Sequence, residues 1–397
     1  VKMTSSKQNN VTSLPILLTT CTLSILFTLA ATHYHSKRQR SSSQSQNNAC
    51  TTTTNNNQHD QTPPPSDTLK GYEAMIGNTP LVELSNLSKL LLNHPQKKIY
   101  VKMESLNPGG TGKDRAALNM LKEAEANGLL PPPLLLSSVN ESKNFTITDK
   151  NNHNNNEISI FTKSINQALE RTKTGGIVVE GTSGSTGISL ASLCTSRGHA
   201  VIVVMPDDQA YEKRCMLRRL NVVLHVVKNC AISNPNHYVN VAKRIALEIN
   251  DLKKECIQAF FVNQFENLAN YNAHYTSTGP EILYQLRTIH HVSCCSAFVM
   301  SSGTGGTIAG VGQYLKENSS SSSGDDKKTT NIILVDPPGS SLYNKIKYGV
   351  AYTIQQSERS MKKHRYDTLA EGIGLDRITA NFALGCGNDD DDDTEET

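Results

Sequence analysis

Three segments rich in Gly, Ser and Thr each follow an apolar run and open a helical pattern. The first is Asn107-Pro108-Gly109-Gly110-Thr111-Gly112-Lys113-Asp114-Arg115. A Walker-type loop needs Gly at 107 and Ser or Thr at 114, so Asn107 and Asp114 exclude it. Lys113 stands instead at the mouth of a helix, whose positive end favours the uncharged amine. A neutral amine attacks aldehydes, which makes Lys113 a candidate Schiff-base lysine. The plain alternative is a solvated lysine ahead of a helix.

The second segment is Glu180-Gly181-Thr182-Ser183-Gly184-Ser185-Thr186-Gly187. Hydroxyls and backbone N–H groups converge there at a helix start, which suits a carboxylate or a phosphate. A capped tight turn would look the same. The third is Gly303, Thr304, Gly305, Gly306 and Thr307. Its glycines let N–H groups approach an anion, and two hydroxyls add donors. A dinucleotide fingerprint beginning at Gly303 needs Gly at 308, where Ile308 stands, so a monophosphate fits better than a pyrophosphate. A lysine for an aldehyde, a cup for a phosphate ester and a cup for a carboxylate together describe pyridoxal 5'-phosphate and an amino acid.

The elements around these segments alternate. Short apolar runs at 99–104, 177–180, 200–205, 222–227, 297–300 and 331–336 read as strands. Helical periodicity covers 114–127, 186–197, 209–220, 238–250, 271–288 and the stretch up to Lys316, with Gly128 and Gly198 as stops. Apolar runs joined through helices predict an α/β fold with a mostly parallel sheet covered on both faces. His237 and Tyr238 are expected to pack at a helix start.

At this point the chain resembles the fold-type II pyridoxal-phosphate enzymes, in the cysteine synthase / cystathionine β-synthase group. The resemblance is carried by IGNTPLVEL (76–84), KMESLNPGGTGKDRAA (102–117), VVEGTSGSTGISLA (178–191), VVMPDD (203–208), FVNQFEN (261–267) and SSGTGGTIAG (301–310). With DPPGSSLYNKIKYG (336–349) and EGIGLDRITANF (371–382), it looks most like the fungal cysteine synthase 2-type proteins of the mitochondrial outer membrane. The resemblance implies a two-domain, tryptophan synthase β-like fold, pyridoxal phosphate as cofactor and a homodimer. It implies Lys113 as the Schiff-base lysine. Thr182, Ser183, Gly184 and Thr186 would grip the substrate carboxylate, with Gln264 as amide partner, and 303–307 would be the phosphate cup. Ser185 stands where many members carry an Asn that contacts the cofactor. The implied reaction makes L-cysteine from O-acetyl-L-serine and sulfide. Alternatives are cystathionine β-synthase, serine or threonine dehydratase, or a catalytically silent membrane-anchored protein. The family continues with further sheet elements where this chain ends in an acidic run, so the carboxyl end is expected to be incomplete.

Composition bounds the rest. The chain has 397 residues and a net charge of +3, too balanced for a main role in binding nucleic acid. Hydrophobic residues at 37% and the absence of Trp point to unfolded stretches. These lie at 1–70, 132–156, 319–330 and 388–397, leaving about 280 residues for two domains. The expected division is 97–266, interrupted by the 132–156 insertion, and 71–96 with 267–387; 388–397 is an acidic tail. Nine Cys without a CxxC pair predict a reducing compartment, thiols mostly in the core and no metal site.

Residues 14–31 carry no charge, and Lys37, Arg38 and Arg40 follow after a polar start at 1–13. At about 1.5 Å per residue such a helix spans about 27 Å, enough for a bilayer core. Segment 14–32 is therefore read as a membrane anchor with 33–70 as tether and the catalytic part in the cytosol. A mitochondrial matrix presequence, a cleaved secretory signal and a buried helix are the other readings.

Overall fold

The structure is a computed structural model that describes residues 71–92, 97–134, 160–253, 256–318, 329–352 and 372–385. The expected anchor, tether and acidic tail, and nearly all of the 132–156 insertion, lie outside the described residues. Among the described residues no helix is long and apolar enough to cross a membrane.

After a 3-10 turn at Tyr72–Met75 comes a short antiparallel pair, β1 (Leu81–Glu83) and β2 (Tyr100–Lys102), separated by α1 (Ser85–Leu92). Helix α2 (Lys113–Ala126) follows and ends at Gly128, φ 68°. After α3 (Thr162–Arg171) come β3 (Gly176–Gly181), α4 (Ser185–Arg197), β4 (Ala200–Pro206), α5 (Tyr211–Arg219), β5 (Val223–Val227), α6 (Tyr238–Asp251) and β6 (Gln258–Phe261). The strands pair in the order β5-β4-β3-β6, all parallel.

Both faces of this sheet are covered, which is why β4 reads as an unbroken apolar run and β3 as one up to Glu180. Alternate residues serve opposite cores. Val178, Val203 and Met205 pack with Met120, Leu121 and Leu190. Ile177, Val179, Ile202 and Val204 pack with Leu169, Ile245 and Ile249 on the other side. Because the strands are parallel, the loops after Gly181, Pro206 and Phe261 leave from one edge. That edge is where α/β sheets place ligands.

The remaining part is built on a long helical run. Ala269–Ala273, a π-helical turn at His274–Thr278 and Gly279–Thr288 follow one another without a break. β7 (Ala297–Ser301) leads through residues 302–305 into α7 (Gly306–Asn318), and β8 (Asn331–Val335) pairs parallel with β7. Short helices α8 (Leu342–Tyr348) and α9 (Ala380–Ala383) complete the described chain.

Two expectations are corrected. The strand expected at 99–104 is only three residues long, because Glu104–Leu106 turns into a 3-10 helix before the glycines at 109–112. The thiols are not mostly in the core. Of the six described cysteines only Cys194 is buried; Cys256 is exposed and the others are intermediate.

Candidate active site

Lys113 is the first residue of α2, and three neighbouring contacts fix it. Thr111 Oγ1 accepts the Lys113 backbone N–H at 3.2 Å. Asp114 Oδ2 accepts the Gly109 N–H at 2.6 Å, closing the glycine turn over the helix start. Arg115, two residues on, is clamped by two carboxylates. Its Nε and Nη2 each lie 2.8 Å from Glu104, and its Nη1 and Nη2 lie 2.6 and 2.7 Å from Glu281. Lys102 Nζ adds a 2.9 Å contact to Glu281. Burial alone would raise the Glu281 carboxyl, but Arg115 and Lys102 reverse this and hold it at about 2. A buried ion cluster of this kind is tolerable only because every member is bonded. It ties α2 to the 279–288 helix and so sets where Lys113 points.

Burial pushes the Lys113 amine down to about 8. The expected direction is therefore present, with desolvation as its cause. Lys113 Nζ lies 3.4 Å from Thr304 Oγ1, so the amine adjoins the 303–307 cup.

The cup is held from behind. Thr304 Oγ1 accepts from Asn270 Nδ2 at 2.9 Å, and its carbonyl accepts from Thr379 Oγ1 at 2.7 Å. Thr307 Oγ1 meets His274 Nε2 at 3.1 Å, while His274 Nδ1 meets Thr278 Oγ1 at 2.9 Å. Burial, with Lys113 nearby, pushes His274 down to about 3, so it is a neutral ring at ordinary pH. Gly305 has φ 88°, and a Cβ there would lie 2.5 Å from Phe382 Cβ. The chain reverses here as only glycine readily allows. The N–H groups at the start of α7, Thr304 and Thr307 form a donor set without any carboxylate. With an amine beside it, that set fits a phosphorylated aldehyde.

The 182–186 loop lies at the sheet edge. Thr182 Oγ1 accepts the Gly184 N–H at 3.2 Å, and Thr186 Oγ1 donates to Gln264 Oε1 at 2.5 Å. Gln264 reaches the loop because β6 runs beside β3. Glu180 Oε2 accepts the Asn263 N–H at 2.8 Å beneath them. Burial pushes Glu180 up to about 8, so it is mostly uncharged near neutral pH and repels a bound carboxylate little. Ser183 and Ser185 lie half-buried on the same turn, and neither hydroxyl bonds among the described residues. His237 caps α6, accepting from the Val239 N–H at 3.3 Å, in keeping with a packing role.

The structure thus brings Lys113 to Thr304 and Thr186 to Gln264. It adds four residues that were not singled out from the sequence: Asn270, His274, Thr379 and Asn381. A signal existed for two of them. Asn270, His274 and Thr278 recur every four residues on a buried helix face, a polar stripe that apolar packing does not explain.

The family model for "Pyridoxal-phosphate dependent enzyme" matches residues 72–140 and 158–395. Cysteine synthase 2 of Schizosaccharomyces pombe is 38% identical over 80% of this chain and 66% of its own length. A Saccharomyces cerevisiae protein whose name includes "mitochondrial cysteine synthase" is 39% identical over 80% of this chain and 66% of its own. The chain therefore spans about two thirds of the length of these relatives. The crystal structure of the O-acetylserine dependent cystathionine beta-synthase from Helicobacter pylori shares the fold. Its TM-score is 0.52 at 23% identity, over 80% of this chain and 76% of that one. The chain belongs to the family of pyridoxal-phosphate dependent enzymes, with pyridoxal phosphate as its cofactor, and among them it is similar to the cysteine synthases.

Proposed function

We propose that this protein makes L-cysteine and acetate from O-acetyl-L-serine and sulfide. The observation that carries the reading is the pairing of two sites. A part-buried amine lies 3.4 Å from the cup threonine, and a hydroxyl-lined loop is bonded to Gln264. The similarity to cysteine synthases supports the choice of reaction.

In this reading Gly303, Thr304, Gly305, Gly306 and Thr307 hold the phosphate, Lys113 holds the aldehyde carbon, and Ser185 faces the cofactor. The cofactor supplies an electron sink next to the substrate Cα. Thr182, Ser183, Gly184, Thr186 and Gln264 hold the substrate carboxylate. With the cofactor bound, Lys113 Nζ would be the base placed to take the proton from the substrate Cα and to return it. Over the reaction acetate would leave Cβ with its bonding pair and hydrosulfide would take its place there.

The two-domain division, 97–266 against 71–96 with 267–387, belongs to the same proposal, as does a homodimer, which sedimentation of the full chain tests. For location we propose the mitochondrial outer membrane, with 14–31 as anchor and the catalytic part in the cytosol. The uncharged apolar run supports an anchor, and the name of the yeast relative supports the mitochondrion. Release by carbonate, or protection from protease behind an intact outer membrane, contradicts it.

Purified full chain is assayed in three arms: O-acetylserine with sulfide, serine with homocysteine, and threonine alone. Cysteine formed fastest in the first arm supports the reading. Cystathionine or ketoacid as the main product replaces it, and no product in any arm favours a silent protein.

A further inference from the structure

The segment from Gly372 to α9 touches both proposed binding sites. At its far end Thr379 Oγ1 donates to the Thr304 carbonyl at 2.7 Å, which ties it to the phosphate cup. Arg377, two residues earlier, is tied to the other site. Its guanidinium lies 5.0 Å from the centre of the Phe265 ring, and Nη1 donates to Glu266 Oε1 at 2.6 Å. Phe265 directly follows Gln264, the proposed carboxylate partner. Two residues of chain span at most about 7.6 Å, so Arg377 is held within short reach of both sites. In the proposed reaction the amino acid lies in that interval, with its carboxyl group at one end and its Cα beside the cofactor at the other.

A neutral acetyl ester gives no reason for a cation here. The Arg377 side chain is 28% exposed, so it is neither a core ion nor a fully solvated one. Stacking on Phe265 orients its plane, and Glu266 takes Nη1 alone. Nε and Nη2, which share one edge of the guanidinium, make no hydrogen bond among the described residues. Glu266 is engaged at both oxygens, since its Oε2 accepts the Ala380 N–H at 2.8 Å. Asp376, next in the chain, has an interaction of its own. His237, at the start of α6, is near enough that the Arg377 charge adds to burial in pushing its ring down to about 4, so it is neutral at ordinary pH. A stacked guanidinium with an open edge of two donors matches a phosphate, which accepts two parallel hydrogen bonds from it.

We propose that Arg377 is a specificity-determining residue that reads negative charge on the substrate side chain, so that the protein takes O-phospho-L-serine as well as O-acetyl-L-serine. This rests on the proposed function, because it takes Gln264 as the carboxylate partner. Hydrogen sulfide and O-phospho-L-serine give L-cysteine and hydrogen phosphate. The Cβ–O bond breaks with its pair on oxygen, and a Cβ–S bond forms. One sulfide proton stays on the thiol and the other passes to the phosphate, so no oxidant or reductant is needed.

The test compares wild type, Arg377→Gln and Arg377→Lys as full chains with pyridoxal phosphate. The Arg377–Glu266 pair is partly exposed, and Thr379 anchors the segment independently, so the variants should fold. Cysteine formation is followed from each of the two donors. Binding without turnover is read from the cofactor's absorbance with L-serine and L-cysteate, which differ in side-chain charge and whose substituents leave poorly. Wild type should form cysteine and phosphate from O-phospho-L-serine and should bind L-cysteate more tightly than L-serine. In Arg377→Gln the ratio of kcat/KM for O-phospho-L-serine over O-acetyl-L-serine should fall about 10- to 100-fold, as for a lost hydrogen bond to a charged group. The preference for L-cysteate should vanish with it. Arg377→Lys keeps the charge but not the paired donors and should fall in between; if Arg377→Gln does not fold, Arg377→Lys decides. Equal losses for charged and neutral compounds make Arg377 merely structural and overturn the inference. A wild type that makes cysteine from O-acetyl-L-serine alone, and binds L-cysteate no better than L-serine, overturns it while the proposed function stands. A wild type that makes cysteine from neither donor, yet prefers L-cysteate through Arg377, overturns the proposed reaction and supports the reading of charge.

Discussion

The 303–307 cup and the 182–186 loop are both glycine-rich turns between a strand and a helix, yet they are held differently. The cup is braced from several sides: Thr379 on the Thr304 carbonyl, Asn270 on its hydroxyl, His274 on Thr307 and Phe382 against Gly305. The loop hangs on the Thr186–Gln264 bond, the Gly184–Thr182 turn and the Thr182 N–H to the Val204 carbonyl at 3.0 Å. Gly184, at φ 151°, adopts a backbone conformation that residues with a side chain rarely take. The difference matches the two ligands assigned to them. A cofactor that stays bound through many turnovers gains from a preorganised site, whereas a substrate must enter and leave.

The largest effect should come from breaking the braced side. Gly305→Val places a side chain against Phe382 at a positive φ, which costs about 3 kcal/mol in strain and overlap. Cofactor affinity should fall more than about 100-fold by equilibrium dialysis; an unchanged affinity would show that the cup is not the phosphate site. On the other side, Thr182→Ala or Gln264→Ala should cost about 1.5–3 kcal/mol in amino-acid binding, as expected for a hydrogen bond to a charged group. Cofactor affinity should change much less in Thr182→Ala, and equal losses for both ligands would erase the distinction between the two turns.

A pH profile sharpens the comparison through Lys113. Burial lowers its amine from 10.5 to about 8, so the folded protein binds fewer protons than the unfolded chain between those values. The penalty for charging the amine is fully present below about 8 and is relieved as pH rises towards 10.5, so Lys113 ceases to oppose folding at the alkaline end. Capture of pyridoxal phosphate follows the uncharged fraction. Its rate should rise about ten-fold per unit below pH 8 and level off above it. Stopped-flow absorbance checks this, and a rise continuing towards 10 would place the amine in water.

Much of this site was legible because its chemistry is local. Lys113, the 182–186 hydroxyls and the 303–307 glycines each sit in a contiguous segment, and helices did open at them. The β3 and β4 strands were also readable, since burial on both faces leaves Glu180 as the one polar side chain in either. What was hidden is long-range. Nothing near Asn381 in the chain shows that it bonds to Gln264, 117 residues away. Strand β1 is three residues long, too short for a period to register, and β2 was expected but at twice its length. The source of the Lys113 shift needed the packing around it, because sequence shows the helix end but not the desolvation.

The most direct test of the account is chemical. Borohydride reduction of the full chain with pyridoxal phosphate, followed by peptide mass mapping, should place the pyridoxyl group on the peptide containing Lys113 and nowhere else in stoichiometric amount. Attachment to a different lysine, or no attachment at saturating cofactor, would contradict the assignment of Lys113 and with it the site built around Thr304.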